Sequence, residues 1–549
     1  MNNITDDSNY LIIIPARGGS KEIPRKNVKV LNGEPLIYYS IKTSLKSRYN
    51  PDVFVSSDDE EILMFSSRFG ANIIKRKKEL SDDKSTLDAV IYNEFKNIEK
   101  ITRKEYQFII TVQPTSPLLK TQTLDRAIEI LENNSEIETI ISVSEERHLA
   151  WKFENNSFVP NYEKRVNRQY IKPIYRETGA FVICRRQILI NLKSRIGSYV
   201  QPFEIGKEES IDIDTDKDFI VAGYYMKRKN ILFVLIGSRE YGLGHVYRAL
   251  TIAKELNGSK LSFLLLQGNE LGLKKIEENN YLGYLQSSEN IINDIKKINP
   301  DIIINDMLDT SYDYMNKLKA LGVKIINFED LGEGSIFADI VINALYPELN
   351  ISKNHFYGPE YFCLRDEFIL LNDYKLRTKV SEVLICFGGV DPNNLTQKVF
   401  NNINDYCIEN NININIILGL GYNHTVRITN SKNVKIYNNI NNISEKMFMS
   451  DIIFTSAGRT VYEIASIGVP TVVISQNKRE LTHFFSSARY GFINLGIGKG
   501  LSDSKIKAAF IDFCEDYSSR KKAHNLMKEI NLRESKKRTI EIINTLIKR

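Results

Sequence analysis

Cysteine is scarce in this sequence, and no long hydrophobic run occurs in it. The five cysteines, Cys184, Cys363, Cys386, Cys407 and Cys514, form no CxxC pair and no regular spacing. That argues against a disulfide framework and a cysteine-based zinc site, and fits a reducing compartment. No stretch is long enough to cross a bilayer, so no membrane partner is expected. The beginning, MNNITDDSNY, is polar and acid-bearing where a secretory signal would be basic, and the apolar run after it, LIII, is far shorter than a signal core. The expected location is therefore cytoplasmic. A strong charge of one sign is lacking as well: 74 basic against 68 acidic side chains leave a formal charge of +6. This is too near balance to imply a nucleic-acid partner.

What is present is ordinary globular composition over 549 residues, too long for one hydrophobic core. Short β-branched runs alternate with amphipathic helical patterns, the mark of α/β layers on mostly parallel sheets. The strands predicted first are 11–14, 53–56, 108–112, 139–143 and 179–184, with helices between them, for example 35–45 and 123–131. A new series begins with ILFVLI at 231–236, directly after the basic stretch MKRKN. The second half reads as doubled. Runs at 231–236, 261–266, 301–306 and 324–328 make one set, and 382–387, 414–418, 434–437, 451–456 and 471–475 another, each able to build a doubly wound sheet. The expected domains are 1–228, 229–375 and 376–549. Asn-rich tracts near 401–415 and 438–442 read as compositional bias.

Two constellations carry chemistry. After the first strand comes PARGGSKEIPRKN, 15–27, where Gly18 and Gly19 allow close backbone approach and Arg17, Lys21, Arg25 and Lys26 crowd four cations together. An anion such as a triphosphate would offset their repulsion; a solvated basic loop is the alternative. Far along the chain, in SIDIDTDKDF at 210–219, Asp212 and Asp214 lie two apart on one face of an extended segment. Two hard carboxylates so placed can hold Mg2+, although alone they would equally suit a solvent-facing acidic edge.

With these motifs, together with SSDDEEI, QPTSPL and RQYIKPIYRETGA in the same order, residues 10–225 resemble the CMP-sialate synthetases, or acylneuraminate cytidylyltransferases. The resemblance implies a Rossmann-like, glycosyltransferase-A-like nucleotidyltransferase domain that uses CTP, a nine-carbon sugar acid and Mg2+. It implies that Arg17, Ser20, Lys21, Lys26 and Asn27 meet the nucleotide and that Arg76 lies beside the cytosine. Gln113, Arg168 and Gln169 would line the sugar-acid pocket, Asp212 and Asp214 would hold the metal, and Arg17, Lys26 and Asp214 would act in catalysis. Asp58 and Asp59 would stand behind the site or form an exposed turn. A homodimer through this domain is also implied. One departure is visible: the family usually has Asn before the glycine where this chain has Thr178-Gly179-Ala180.

The second constellation starts at GSREYGLGHVYRAL, which sets His245 at a helix start after Gly242 and Gly244, with Arg248 following. That edge of an open α/β sheet is where ligands bind. FGGVDPNN at 387–394 is a glycine turn after a strand, and TSAGRTVYEIASIGVP at 455–470 places Ser456, Ala457 and Gly458 at a helix N-terminus suited to a diphosphate. Gln476 and Asn477 close the next strand as substrate-side candidates. This half is similar to the UDP-sugar hydrolases of pseudaminic acid biosynthesis and, more distantly, to glycosyltransferase-B enzymes. That likeness implies a pair of doubly wound domains with His245 catalytic, Gly388, Gly389, Ser456 and Gly458 on the diphosphate and Glu463 on the uridine ribose. The Arg-x-Asp common in that family is absent from VLIGSREYG. A glycosyltransferase, or a non-catalytic nucleotide-sugar-binding or oligomerisation module, is the alternative for this half. His148, His355, His424 and His483 show no ligand spacing and read as structural or surface groups.

Overall fold

The computed structural model describes residues 8–20, 22–81, 85–348, 352–428, 433–440 and 442–548. The chain divides into two compact units, Met1–Arg228 and Lys229–Arg549.

The first unit is built on one sheet of seven strands: β1 Tyr10–Pro15, β2 Asp52–Ser57, β3 Asn72–Lys75, β4 Phe108–Val112, β5 Thr139–Glu146, β6 Ile174–Arg185 and β7 Val200–Glu204. Their spatial order is β7-β5-β6-β4-β1-β2-β3. All neighbours pair in parallel except β6, which runs antiparallel to both β4 and β5. The unbroken apolar run of β1 follows from burial on both faces. Tyr10, Ile12 and Ile14 enter one core cluster while Leu11 and Ile13 enter the one on the opposite face. The predicted helices form over Leu36–Leu45 and Thr121–Asn133. A separate hairpin, Trp151–Glu154 with Ser157–Pro160, stands outside the main sheet.

The second unit holds two wholly parallel sheets. In one, β8 Asn230–Leu235, β9 Lys260–Leu265, β10 Gly283–Leu285, β11 Ile302–Asp306, β12 Lys324–Phe328, β13 Ile340–Asn343 and β14 His355–Tyr357 take the order β10-β9-β8-β11-β12-β13-β14. In the other, β15 Glu382–Ile385, β16 Asn413–Leu418, β17 Val434–Asn438, β18 Ile452–Thr455, β19 Thr471–Ser475 and β20 Phe492–Ile497 take the order β17-β16-β15-β18-β19-β20. Both orders reverse direction beside the first strand of their set, which opens a crevice at the strands' carboxyl ends. The pair of doubly wound sheets predicted from the alternating runs is present. The last helix, Ser535–Ile547, does not stay with the second sheet: Ile540, Ile543 and Leu546 pack with Ile231, Phe233 and Leu235 in the core of the first. Lys536 reinforces this by pairing with Glu255 and Asp366. Among the described residues no helix is long and apolar enough to cross a membrane.

Candidate functional site

In the first unit the carboxyl ends of β1, β3 and β4 open on a cleft of ≈ 570 Å³. Arg17, Ser20, Lys26, Asn27, Arg76, Gln113, Asp212 and Asp214 all line it. The loop after β1 is held by its own backbone and neighbours: Gly18 N–H donates to Asp58 Oδ1 at 3.0 Å, and Asn27 Nδ2 donates to the Arg17 carbonyl at 2.9 Å. Asp59 caps the helix Glu60–Arg68 and pairs with Arg25, which also meets Glu61. Of the predicted cations, Arg25 is thus neutralised by these carboxylates and does not line the cleft. Lys21 lies outside the described residues. Asp58 and Asp59 fasten the loop.

The remote acidic pair is carried to the cleft by two local devices. Thr215 and Asp218 form a capping box that starts the helix Asp216–Lys227. Just before it, Ile213 N–H donates to the Thr115 carbonyl at 2.8 Å. Ile213 is buried in a small core cluster, and its neighbours Asp212 and Asp214 face the cleft. Lys26 Nζ donates to the Ile213 carbonyl at 2.7 Å and meets Asp214 Oδ1 at 3.2 Å. Asp212 Oδ1 is buried with no hydrogen-bond partner. Burial, with the Asp214 charge adding to it, pushes the Asp212 carboxyl above its usual range against the pull of Thr115 and Lys26. Two oxygen donors, one of them unsatisfied, at the wall of an open cleft fit a hard divalent cation that takes its other ligands from phosphates.

Arg76 donates from Nε to Ser56 Oγ at 3.1 Å and from Nη2 to the Ser56 carbonyl at 2.8 Å, fixing it on the cleft wall. Gly179, at φ +73, needs its missing side chain: a Cβ would come 3.1 Å from Gln113 Nε2 and 3.3 Å from Asp212 Oδ2. Thr178, at the position of the family departure, is buried and donates to Ser142 Oγ at 2.8 Å, so its hydroxyl serves the sheet. Arg168 and Gln169 lie on the exposed turn Arg168–Tyr170 and do not line the cleft.

In the second unit β8 delivers the chain to the helix Gly244–Ala253, whose second residue is His245. Its Nδ1 lies 2.5 Å from Asp306 Oδ1, at the carboxyl end of β11. Arg248, one turn on, meets both Asp306 oxygens at 2.5 and 2.6 Å and Glu329 Oε1 at 2.8 Å. Arg248, Asp306 and Glu329 are buried. Burial opposes the Asp306 carboxylate, yet Arg248 and His245 hold it far below the usual range; Glu329, less well compensated, is raised by burial. Sequence reasoning missed Asp306 and Glu329. The only signal was an acid closing the apolar run DIIIND at the ligand edge.

Gly388, Gly389 and Glu463 line a cleft of ≈ 140 Å³ with Gly244, Tyr247, Arg365 and Arg459. Glu463 accepts from Arg365 Nε at 2.7 Å. Ser456 and Gly458 precede the helix Thr460–Ile467, outside that lining, and face Glu480. Burial pushes the Glu480 carboxyl up to about 7, although Gln476 N–H, Ala457 N–H and Ser456 bind it. The Gln476 amide is occupied: Nε2 donates to Asp391 Oδ1 at 2.7 Å and Oε1 accepts from Asn393 at 2.9 Å. Asn477 Oδ1 accepts from the Glu480 N–H at 3.0 Å. His483 bonds the Ala457 carbonyl at 2.7 Å.

A sequence-family profile described as cytidylyltransferase matches residues 11–235. A Campylobacter jejuni protein named pseudaminic acid cytidylyltransferase is 33% identical over 214 residues, covering 38% of this chain and 92% of that relative. A Helicobacter pylori protein named pseudaminic acid cytidylyltransferase and UDP-2,4-diacetamido-2,4,6-trideoxy-beta-L-altropyranose hydrolase is 24% identical over 485 residues, covering 84% of this chain and 87% of the relative. A Streptococcus agalactiae N-acylneuraminate cytidylyltransferase is 31% identical over 218 residues, covering 38% of this chain and 51% of the relative. The chain spans about half the length of several of the curated relatives it matches.

Proposed function

From the premise that this chain belongs to the cytidylyltransferase family, we propose that its first unit transfers CMP from CTP to a nine-carbon 2-keto sugar acid of the sialic, pseudaminic or legionaminic type. Its second unit, on the same proposal, hydrolyses a UDP-linked amino sugar. We assign residues 1–228 to the transferase domain, and 229–375 and 376–549 to the two layers of the hydrolase.

The observation that carries the first reading is the convergence of the basic loop and the distant acidic pair on one cleft. Asp212 and Asp214 would hold a divalent cation, proposed as Mg2+, which when bound neutralises phosphate charge. Arg17 and Lys26 stabilise the charge that passes to pyrophosphate as the anomeric hydroxyl attacks the α-phosphorus, and Asp214 stands ready to accept the hydroxyl proton. Arg76 orients the cytosine and Gln113 the sugar acid. Arg168 and Gln169, exposed on the same unit as the apolar hairpin at 151–160, suit a homodimer in which each copy offers this surface to another.

The second reading is supported by the His245–Asp306 pair. With Nδ1–H donating to Asp306, Nε2 is left as the acceptor, the tautomer a general base requires. Water attacks the anomeric carbon, its proton passes to Nε2, and the electron pair of the broken C–O bond leaves with UDP. Gly388 and Gly389 offer backbone to the diphosphate and Glu463 meets the ribose, while Ser456, Gly458, Gln476 and Asn477 gather around Glu480 outside the lining of that cleft. One experiment tests both halves: pyrophosphate release from CTP across a panel of these acids, alongside UDP release from UDP-2,4-diacetamido sugars without an acceptor. Strict dependence on an acceptor would overturn hydrolysis in favour of glycosyl transfer.

A further inference from the structure

Arg459 stands at the N-cap of the helix Thr460–Ile467 and lines the cleft shared with Gly244, Gly388, Gly389 and Glu463. Its Nη2 donates to the Cys363 carbonyl at 3.2 Å, and its guanidinium lies 4.5 Å from the Phe362 ring centroid. Nη1 is shielded from solvent and has no hydrogen-bond partner. The two other arginines grouped here are balanced, Arg248 by Asp306 and Glu329, and Arg365 by Glu367 and Glu463. Among the described residues no carboxylate lies within ion-pair distance of Arg459. Burial first, then the charge of Arg248, push its pKa down to about 10 against the more distant pull of Asp306 and Glu463.

Withdrawing a cation from water without a partner is unfavourable, and the fold tolerates it at a cleft wall where a ligand can bring the anion. The position says which anion. Its side chain abuts the turn that carries His245: a Cβ on Gly244 would sit 3.0 Å from Arg459 Cδ. It therefore lies on the catalytic side of the cleft, toward the phosphate that bears the sugar. We propose that Arg459 receives the β-phosphate of the nucleoside diphosphate leaving group, a role that rests on the UDP-sugar reading of this unit. As the anomeric C–O bond breaks, its electron pair settles on a β-phosphate oxygen, and the guanidinium stabilises that oxygen more than it stabilises the ground state.

The test compares wild type, Arg459→Met and Arg459→Lys as full chains, with UDP and UMP binding measured by calorimetry and thermal midpoints recorded with and without UDP. Arg459→Met is expected to lose UDP affinity by about 30-fold or more while UMP affinity changes by less than about threefold. Its midpoint without ligand should be unchanged or higher, and the stabilisation by UDP should vanish; a merely structural arginine would lower the midpoint and leave the UDP-to-UMP ratio intact. Unchanged UDP affinity in Arg459→Met overturns the assignment but leaves the uridine reading standing. If wild type ignores UDP but binds dTDP, GDP or ADP through Arg459, the uridine reading falls and the arginine role stands; binding of no nucleoside diphosphate sinks both. Should Arg459→Met fail to fold, an undiminished UDP-to-UMP ratio in Arg459→Lys overturns the proposal.

Discussion

His245 Nδ1 and Asp306 Oδ1 meet at 2.5 Å across 61 positions of sequence. Because Arg248 shares that carboxylate, the two ends of the pair respond differently to substitution. His245→Gln should lower UDP release by about 100-fold or more with the thermal midpoint nearly unmoved. Asp306→Asn should lose activity and also stability, by about 3 kcal/mol, since Arg248 then keeps only Glu329 in a buried setting. Calorimetry beside a UDP-release assay separates the two; an active Asp306→Asn would remove the dyad from the mechanism.

Asp212→Asn and Asp214→Asn should each reduce metal-dependent pyrophosphate release by at least about 100-fold. The check is a metal titration at fixed CTP. Activity in both variants that saturates at the wild-type metal concentration would refute the acidic pair as ligands.

Gly18→Ala should disturb the glycine turn after β1 without removing any charged group. The new Cβ would lie 2.9 Å from Asp59 Cβ and 2.8 Å from its Oδ2, and Asp59 is anchored by Arg25 and by the helix it caps. The expected result is a rise of about tenfold in KM for CTP, read from initial rates.

Glu480 makes the stability of the second unit depend on pH. Its carboxyl, with an ordinary value of 4.5, is raised to about 7 in the folded protein. The folded state therefore binds the extra proton, and this contribution is complete below about 4.5 and lost as pH climbs through 7. Glu480→Gln should raise the thermal midpoint at pH 8 by about 2 to 4 °C relative to wild type and lose that advantage at pH 5. A constant difference between the two pH values would show that Glu480 does not titrate there.

Phe153 and Phe158 face each other across the outlying hairpin at 5.0 Å and are 62% and 72% exposed. Large apolar rings left in water on a two-stranded ribbon call for a covering surface. Phe158→Asp should convert a dimer into monomers in sedimentation velocity; a monomeric wild type would contradict the proposed assembly.

The central strands were legible because parallel sheets bury both faces, so that LIII and ILFVLI stand out as unbroken apolar runs. Asn72–Lys75, Gly283–Leu285 and His355–Tyr357 were not, being short edge strands whose side chains alternate toward solvent or are polar. In the first cleft the key groups sit in two compact motifs, so the basic loop at 15–27 and the pair Asp212 and Asp214 could be assigned to one nucleotide site before any fold was known, whereas the direct Lys26–Asp214 contact could not. Asp306 could not, since nothing local distinguishes it from an acid that merely ends a strand. Arg459 was visible in SAGRTVYE, but only its missing counter-ion gives it a role, and that is a property of packing.

The return of the helix Ser535–Ile547 to the core beside β8 makes the second unit a loop closed on itself, with two covalent crossings between its layers. Any opening of the crevice must therefore deform both crossings together. Excising residues 535–547 would also uncover Ile231 and Phe233, so the layer bearing His245 cannot be isolated by cutting the chain after β14.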